Sequence, residues 1–265
     1  MGAAGREWDA GAYHRLSEPQ FAWGMRVLNR LDLRGDERVL DAGCGSGRLT
    51  TELRARLPRG TVVATDLSFN MVVAARVTLA ERFRDRWQLV NCAAQELPFR
   101  ERFDVIFSTA TLHWVTDHPA LFISLHEALA PGGRLHAQCG GGPNLAALHA
   151  RAGELKASRE FSSHFGGWRD PWEFADAATT AARLRAAGFS DIETSLEHAP
   201  TALSDAATYR EFIRKVVLRP YLLYLPDDSS RDRFVGDLTG QAAADTPPYM
   251  LDYWRLNLTA KRPER

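Results

Sequence analysis

An acid followed by three glycines at alternate positions stands near the start of the chain: Asp41, Gly43, Gly45 and Gly47, in the stretch VLDAGCGSGRLT. Glycine is costly in an ordered segment because it loses the most backbone freedom on folding. Glycines at this density mark a turn where side chains would obstruct something that comes close to the backbone. A strand, a glycine-rich turn and a helix N-terminus together make a cradle for a polar ligand. The spacing excludes two versions of that cradle. A dinucleotide fingerprint needs a glycine at the sixth position, where Arg48 stands counting from Gly43 and Thr50 counting from Gly45. No Lys-Ser/Thr pair follows, so the loop is not a P-loop either. Asp41 would repel a pyrophosphate and attract a cationic ammonium group.

The elements that must hold this loop follow from hydrophobic spacing. Phe21, Met25 and Leu28 keep helical spacing in PQFAWGMRVLNRL, RVLDAG is a short apolar strand, and Leu49, Leu53 and Leu57 recur on one helix face. TVVATD is a β-branched strand followed by the helix NMVVAARVTLAERF. WQLVNC, FDVIFST and RLHAQCG read as buried strands, with a helix carrying Leu121, Leu125, Ala128 and Leu129 that stops at PGG. Strands and helices alternating at this length predict an α/β fold with a doubly wound, Rossmann-like, mostly parallel sheet. The last strands differ. DIETSLEH places Ile192, Thr194, Leu196 and His198 on one side, and YWRLNLTAKR alternates Trp254, Leu256, Leu258 and Ala260 with polar residues. Such alternation predicts an antiparallel edge strand.

Two stretches break the alternation. Residues 143–178 carry Phe161, Phe165, Trp168, Trp172 and Phe174, and residues 199–248 hold an amphipathic helix with Tyr209, Phe212, Ile213, Val216 and Val217 on one face. They read as helical insertions forming a substrate lid. The core then comprises residues 35–142, 179–198 and 249–265, preceded by an N-terminal arm and helix over residues 1–34.

Composition sets outer bounds. The 265 residues carry Lys+Arg and Asp+Glu at 33 each, which argues against a nucleic-acid or membrane-surface partner. No apolar run reaches the roughly 18 residues of a membrane span, and MGAAGREWDAGAY lacks the apolar centre of a signal peptide. Cys44, Cys92 and Cys139 are odd in number and far apart. They form neither a disulfide framework nor a zinc pattern, which fits a reducing compartment, the cytoplasm. No histidine–carboxylate pair has metal-ligand spacing. His118, before Pro119, reads as a surface residue, and His136 as a core histidine.

The pattern D-x-G-x-G-x-G resembles motif I of the class I S-adenosylmethionine-dependent methyltransferases. ATDLSFNMVVAAR, AAQELPF, FDVIFSTATLHWV and LHEALAPGGRL resemble the later motifs in the same order, and AAGF at 186–189 the late helix-to-strand turn. LHWV, the early Trp8 and Tyr13 and the long helical insertion are similar to the trans-aconitate methyltransferase and malonyl-carrier methyltransferase group.

The resemblance implies S-adenosyl-L-methionine as cofactor. Asp41 and the backbone near Gly43 would hold the methionine ammonium, with Cys44, Gly45 and Gly47 letting the chain pass close. Asp66 would accept the ribose hydroxyls, unless it only serves the N-terminus of the next helix. Leu67 follows it, and Met71 would pack on the adenine or simply in the core. Ala94 and Gln95 lie at the adenine. Ala93 stands where the family has an acid that accepts from the adenine amino group, so one charge-assisted bond is missing. The Ser108 backbone would flank the methionine, and Tyr13 and Trp8 belong to an arm over the cofactor or to a loose terminus.

What accepts the methyl group turns on His113. It would be the catalytic base for a hydroxyl acceptor. Alternatively, it and Trp114 pack and fix the loop for a carboxylate acceptor, already ionised at neutral pH. Gln138, Trp168 and Tyr209, together with Trp8 and Trp114, are candidates for the substrate wall. The expected activity is methyl transfer to a small molecule, most readily O-methylation of a carboxylate. The alternatives are a C- or N-methyltransferase of specialised metabolism, and a non-methylating cofactor-binding protein or cyclase on the same fold.

Overall fold

The computed structural model describes Glu7, Gly11 and residues 17–264. Trp8 and Tyr13 lie outside the described residues. Two compact units divide the chain. The first takes the residues up to Gly142 together with Trp172–Glu197 and Arg255–Arg265; the second takes Pro143–Pro171 and His198–Trp254.

The first unit is built on a seven-stranded sheet. Its strands are β1 (Arg38–Ala42), β2 (Thr61–Asp66), β3 (Trp87–Asn91), β4 (Phe103–Thr109), β5 (Leu129–Gly140), β6 (Ser190–His198) and β9 (Trp254–Lys261), in the order β3-β2-β1-β4-β5-β9-β6. The pairs β1–β2, β1–β4, β2–β3 and β4–β5 are parallel, and β5–β9 is antiparallel. The antiparallel β9 sits one place in from the edge, between β5 and β6. The strand order reverses between β1 and β4, and open α/β sheets bind ligands at the carboxyl ends beside that point.

Successive side chains of a strand point to opposite faces, so each central strand feeds two cores. On one face Val39, Val62, Val105 and Phe107 pack with Leu28 and Leu53. These two leucines come from helices α1 (Glu18–Asn29) and α2 (Arg48–Ala55). On the other face Leu40, Ile106 and Leu135 pack with Leu121, Leu125 and Leu184, from α4 (His118–Ala128) and α6 (Ala177–Ala186). Burying one such leucine contributes about 1.5–3 kcal/mol relative to leaving it exposed. Helix α3 (Phe69–Ala80) follows β2, and α5 (Ala146–Ala157) opens the second unit.

Two elements depart from the pattern reading. The run WQLVNC was expected to be buried, but β3 is the sheet edge and only partly covered. The helix before PGG ends at Ala128, and β5 begins at Leu129. Leu129 already pairs with Phe103, and the next pair is Arg134 with Val105. The intervening PGG is therefore a bulge, with Gly132 at φ +76°.

The second unit holds α5, α7 (Ala206–Phe212), α8 (Arg219–Leu222), α9 (Asp228–Ala243) and a two-stranded ribbon of β7 (Thr201–Ala202) and β8 (Met250–Leu251). Helix α7 runs on into a π-helical stretch, Ile213–Val217. An aromatic core fills the unit. Trp168 stacks on Tyr221 at 4.6 Å, Phe165 on Tyr224 at 5.6 Å, and Phe161 meets Phe234 edge-on at 5.2 Å.

Candidate active site

The carboxyl ends of β1 and β2 bring two acids to one place. Asp41 ends the apolar part of β1 and is buried at 2% exposure. Its Oδ2 accepts the Thr50 hydroxyl at 2.6 Å. Burial pushes its carboxyl up to about 7; the Thr50 bond pulls the other way and the charge of Asp66 adds to the rise. An ionised carboxylate is therefore held here at a cost that a cationic partner would remove. Asp66, at the end of β2, accepts the N–H of Gly45 on one oxygen and that of Ser68 on the other, both at 2.9 Å. Burial still raises its pKa. Each of its oxygens keeps a further lone pair for a hydroxyl donor.

The glycine loop runs between the two acids. Gly43, Gly45 and Gly47 all have positive φ, at +83°, +53° and +83°. At Gly43 a side chain would overlap Thr111, whose hydroxyl donates to the Gly43 carbonyl at 3.0 Å. At Gly47 a Cβ would lie 2.9 Å from the Cα of Ala75. Gly47 is also the N-cap of α2, in the left-handed region that suits glycine. Cys44 is buried, and burial holds its thiol well above the usual range.

Around the acids the surroundings are partly apolar. Met71 is buried, and Leu67 is 43% exposed. The Ser68 side chain caps α3 by accepting from Met71 N–H. Glu7 adds to that helix start, accepting from the Ser68 hydroxyl at 2.9 Å and from the N–H groups of Phe69 and Asn70. Ala93 precedes the short turn Ala94–Glu96, which includes Gln95. The Asn91 amide donates to the carbonyls of Asp66 and Leu67, so it braces the end of β2.

The carboxyl ends of β4 and β5 carry the other half of the edge. The Ser108 hydroxyl donates to the Ala42 carbonyl at 2.7 Å and ties β4 to β1. Ala110 takes positive φ, +54°, a strained turn out of β4, and its N–H meets the Gln138 carbonyl at 2.7 Å. His113 and Trp114 follow in a short turn, Leu112–Trp114. The His113 ring stacks on Phe174 at 5.5 Å, and its Nδ1 accepts the Gly140 N–H at 3.3 Å. The His113 carbonyl accepts the Glu173 N–H at 2.8 Å, and Trp114 meets Trp172 edge-on.

His118 corrects a sequence expectation. It was expected at the surface but is 2% exposed. Arg183 bridges its Nδ1, at 2.9 Å, to the Glu173 carboxylate, at 3.0 Å. Its Nε2 meets the Leu112 carbonyl at 3.3 Å. Burial, then the nearby Arg183 charge, lowers its pKa. His136 is half-buried, and burial takes it down to about 4.

Arg255 was missed by the pattern reading, which counted it only among the polar residues that alternate with Trp254, Leu256, Leu258 and Ala260. It is 3% exposed and pairs with Gly140 across β5–β9. Its guanidinium lies 4.5 Å from the Trp23 ring centre, and its Nε meets Gln138 Oε1 at 3.5 Å. Gln138 also donates to Asn257 at 2.7 Å. Only the register of β9 against β5 puts Arg255 at this edge, and no local motif carries that information.

The remaining candidates lie in the second unit. Tyr209 is 1% exposed and packs against Tyr249, with burial raising its phenol to about 12. Trp168 donates to Asp170 at 2.9 Å, and Lys156 lies over its ring. Among the described residues no group of three or more His, Cys, Asp or Glu could hold a metal, and no helix is long and apolar enough to cross a membrane.

Residues 39–133 match the family model described as a methyltransferase domain. Across 265 aligned residues the chain is 29% identical to a trans-aconitate 2-methyltransferase of Deinococcus radiodurans, covering 97% of this chain and 99% of that one. It is 30% identical to a trans-aconitate 2-methyltransferase of Variovorax paradoxus, with 84% of each covered. Among solved structures, the phosphoethanolamine N-methyltransferase 2 of Haemonchus contortus, in complex with S-adenosyl-L-methionine, shares the fold. Its TM-score is 0.61 at 20% identity, over 96% of this chain and 56% of that one. Fold and sequence together define an S-adenosylmethionine-dependent methyltransferase. The chain belongs to the class I S-adenosylmethionine-dependent methyltransferases, in the family that holds these trans-aconitate 2-methyltransferases.

Proposed function

We propose that the protein methylates a carboxylate oxygen of a small organic acid. The observation that carries this reading is the likeness, over nearly the whole chain, to enzymes named for trans-aconitate, whose only polar groups are carboxylates. When bound, S-adenosylmethionine supplies an electrophilic methyl group on a sulfonium sulfur. Asp41 holds the cofactor's ammonium and is thereby returned to the ionised form. Asp66 takes the ribose hydroxyls while its backbone bonds to Gly45 and Ser68 keep it in place. Met71, Leu67 and the Ala93–Gln95 turn flank the adenine. The Ser108 main chain, at the end of β4, flanks the methionine part.

The acceptor lies at the ends of β4, β5 and β9, beside His113, Trp114, Gln138 and Arg255. Carboxylates ionise near pH 4, so the nucleophile needs no base near neutral pH. Catalysis then rests on positioning and on keeping water out.

A panel of acceptors tests this. S-adenosylhomocysteine release is measured with trans-aconitate, other di- and tricarboxylates, and hydroxyl and amine analogues of matching size. The expected product is a methyl ester, cleaved by mild base. Turnover of hydroxyl or amine acceptors with none of the acids would overturn the carboxylate assignment.

A further inference from the structure

The turn that leaves β4 leans on the glycine loop. A side chain on Gly43 would overlap Thr111, and the Thr111 hydroxyl shares its hydrogen between the carbonyls of Gly43, at 3.0 Å, and Thr109, at 2.9 Å. Ala110, one residue earlier, has φ +54°. A non-glycine residue in that region keeps its conformation only where the surroundings over-determine it. Two groups hold the turn Leu112–Trp114 from the far side. His118 Nε2 meets the Leu112 carbonyl at 3.3 Å, and the Glu173 N–H meets the His113 carbonyl at 2.8 Å. Arg183 joins these two holds. Its Nη1 carries two hydrogens and donates to His118 Nδ1 at 2.9 Å and to the Glu173 carboxylate at 3.0 Å. An arginine only donates and a carbonyl only accepts, so His118 is a neutral ring with its hydrogen on Nε2. Phe122 packs on that ring at 5.4 Å. All of these residues belong to the first unit.

We infer that Arg183, with His118 and Glu173, is a positioning residue for cofactor binding: the three hold the turn after β4 where Thr111 supports Gly43. This rests on the assignment of the glycine loop to the cofactor made above. The influence passes through main chain, from His118 to the Leu112 carbonyl, through Thr111, to the Gly43 carbonyl. Without Arg183, the His118 Nδ1 and the Glu173 carboxylate lose their common donor. The imidazole can then change tautomer or turn about χ2, and either movement releases the Leu112 carbonyl. The Glu173 side chain loses its tie to α6, which weakens the hold of its N–H on His113. Thr111 is then no longer fixed, and Gly43 loses its support. The coupling is reciprocal, so a bound cofactor must in turn steady the turn.

Two measurements on the full chain test this, and neither needs a methyl acceptor: calorimetric titration of S-adenosylhomocysteine, and amide hydrogen exchange with and without it. In the wild type the Trp114 and Val115 N–H groups bond to the Thr111 and Leu112 carbonyls and report on the turn. In Arg183→Met they should exchange roughly ten-fold faster, with protection of β1 and β4 retained. S-adenosylhomocysteine affinity should fall about ten-fold. Arg183→Lys keeps a cation that can donate and should return affinity to within about three-fold of wild type. His118→Leu should behave as Arg183→Met does, and His118→Gln, whose amide can donate to the Leu112 carbonyl, should recover most of the loss. The double variant His118→Leu with Arg183→Met should lose no more than the worse single one, because both act through one hold. Unchanged exchange in the turn, or faster exchange with unchanged affinity, would overturn the positioning role. So would protection lost across the whole sheet, since that marks a fold-wide effect. Should Arg183→Met fail to fold, His118→Leu against His118→Gln decides on the same two readouts. Gly43→Val separates the two readings: retained affinity there would remove the loop assignment and this role with it, whereas retained affinity in Arg183→Met alone removes only the role of the three residues.

Discussion

The two halves of the sheet's carboxyl edge carry different side-chain chemistry. At β1 and β2 the buried groups are acids, Asp41 and Asp66, both with raised pKa. At β4, β5 and β9 they are the imidazoles of His113 and His118 and the guanidinium of Arg255, with the part-exposed Arg183 paired to Glu173 and donating to His118. On the carboxylate reading proposed above, the division suits the two partners of the reaction. A sulfonium cofactor with a free ammonium is cationic, and a carboxylate acceptor is anionic. Strand order makes this possible: β1 and β4 are neighbours whose connections leave on different sides, so each half is furnished by separate loops.

The comparison breaks most sharply in the glycine loop. Gly43→Val places a β-branched side chain at φ +83° and against Thr111. Such a residue is disfavoured there on backbone grounds alone. Binding of S-adenosylhomocysteine should fall below detection by calorimetry, while the far-ultraviolet circular dichroism of the fold persists. Retained affinity in the folded variant would show that this half of the edge is not the cofactor's.

Arg255 tests the other half. Arg255→Met removes the buried cation and keeps most of the apolar stem. KM for the acid should rise about 30-fold, the effect of one charge-assisted contact of roughly 2 kcal/mol, with S-adenosylhomocysteine affinity unchanged within about two-fold. The reverse pattern, weakened cofactor and unaltered KM, would erase the division between the halves.

The same division explains what the sequence discloses. The cofactor half is local. Asp41 and the three glycines lie within seven residues, and Asp66 closes the next strand, so spacing alone exposes them. The half proposed for the acceptor is assembled from residues 113, 138, 173, 183 and 255, brought together by strand order and by the β5–β9 register. Arg255 sits in a run whose alternation describes packing of Leu256, Leu258 and Ala260 and is silent about its own burial. His118 precedes a proline at a helix start, a place that is usually exposed. Here Phe122 packs on the ring and Arg183, paired with Glu173, returns against it. Long-range pairing, not local chemistry, is what the pattern reading lacks.

A smaller effect sharpens the cofactor half. Burial pushes the Asp41 carboxyl up from about 3.8 to about 7. An acid with a raised folded pKa binds its proton more tightly when folded. Its contribution to stability is therefore present at low pH and is lost as pH rises through about 7. A bound ammonium favours the ionised form. S-adenosylhomocysteine affinity should thus increase about ten-fold between pH 6 and pH 8, with proton release near pH 6. Calorimetry in buffers of different ionisation enthalpy reads both. Asp41→Asn should bind more weakly and lose the proton release, and an affinity that falls over this range would contradict the assignment of Asp41 to the ammonium.

The smallest effect concerns Ala93, the one place where the cofactor half lacks an expected acid. Ala93 has extended backbone, φ −79° and ψ 142°, and it is the N-cap of the turn Ala94–Glu96. An aspartate fits that conformation and is a preferred N-cap in its own right. The neighbouring Asn91 donates its amide nitrogen to the carbonyls of Asp66 and Leu67, so its side-chain oxygen is the group that could compete for this role. Ala93→Asp should add an acceptor for the adenine amino group. A charge-assisted bond is worth about 1.5–3 kcal/mol when well placed, and partial solvent access reduces that to about 1 kcal/mol, or roughly five-fold in affinity. Some of any thermal stabilisation would come from capping the turn. The control is therefore S-inosylhomocysteine, which carries a carbonyl oxygen where adenine has its amino group. A gain seen with S-adenosylhomocysteine and absent with the inosyl analogue places the new carboxylate at the amino group. An equal gain with both would assign it to the cap, and no gain would mean that the Asn91 carbonyl, Gln95 or a water molecule already fills the place.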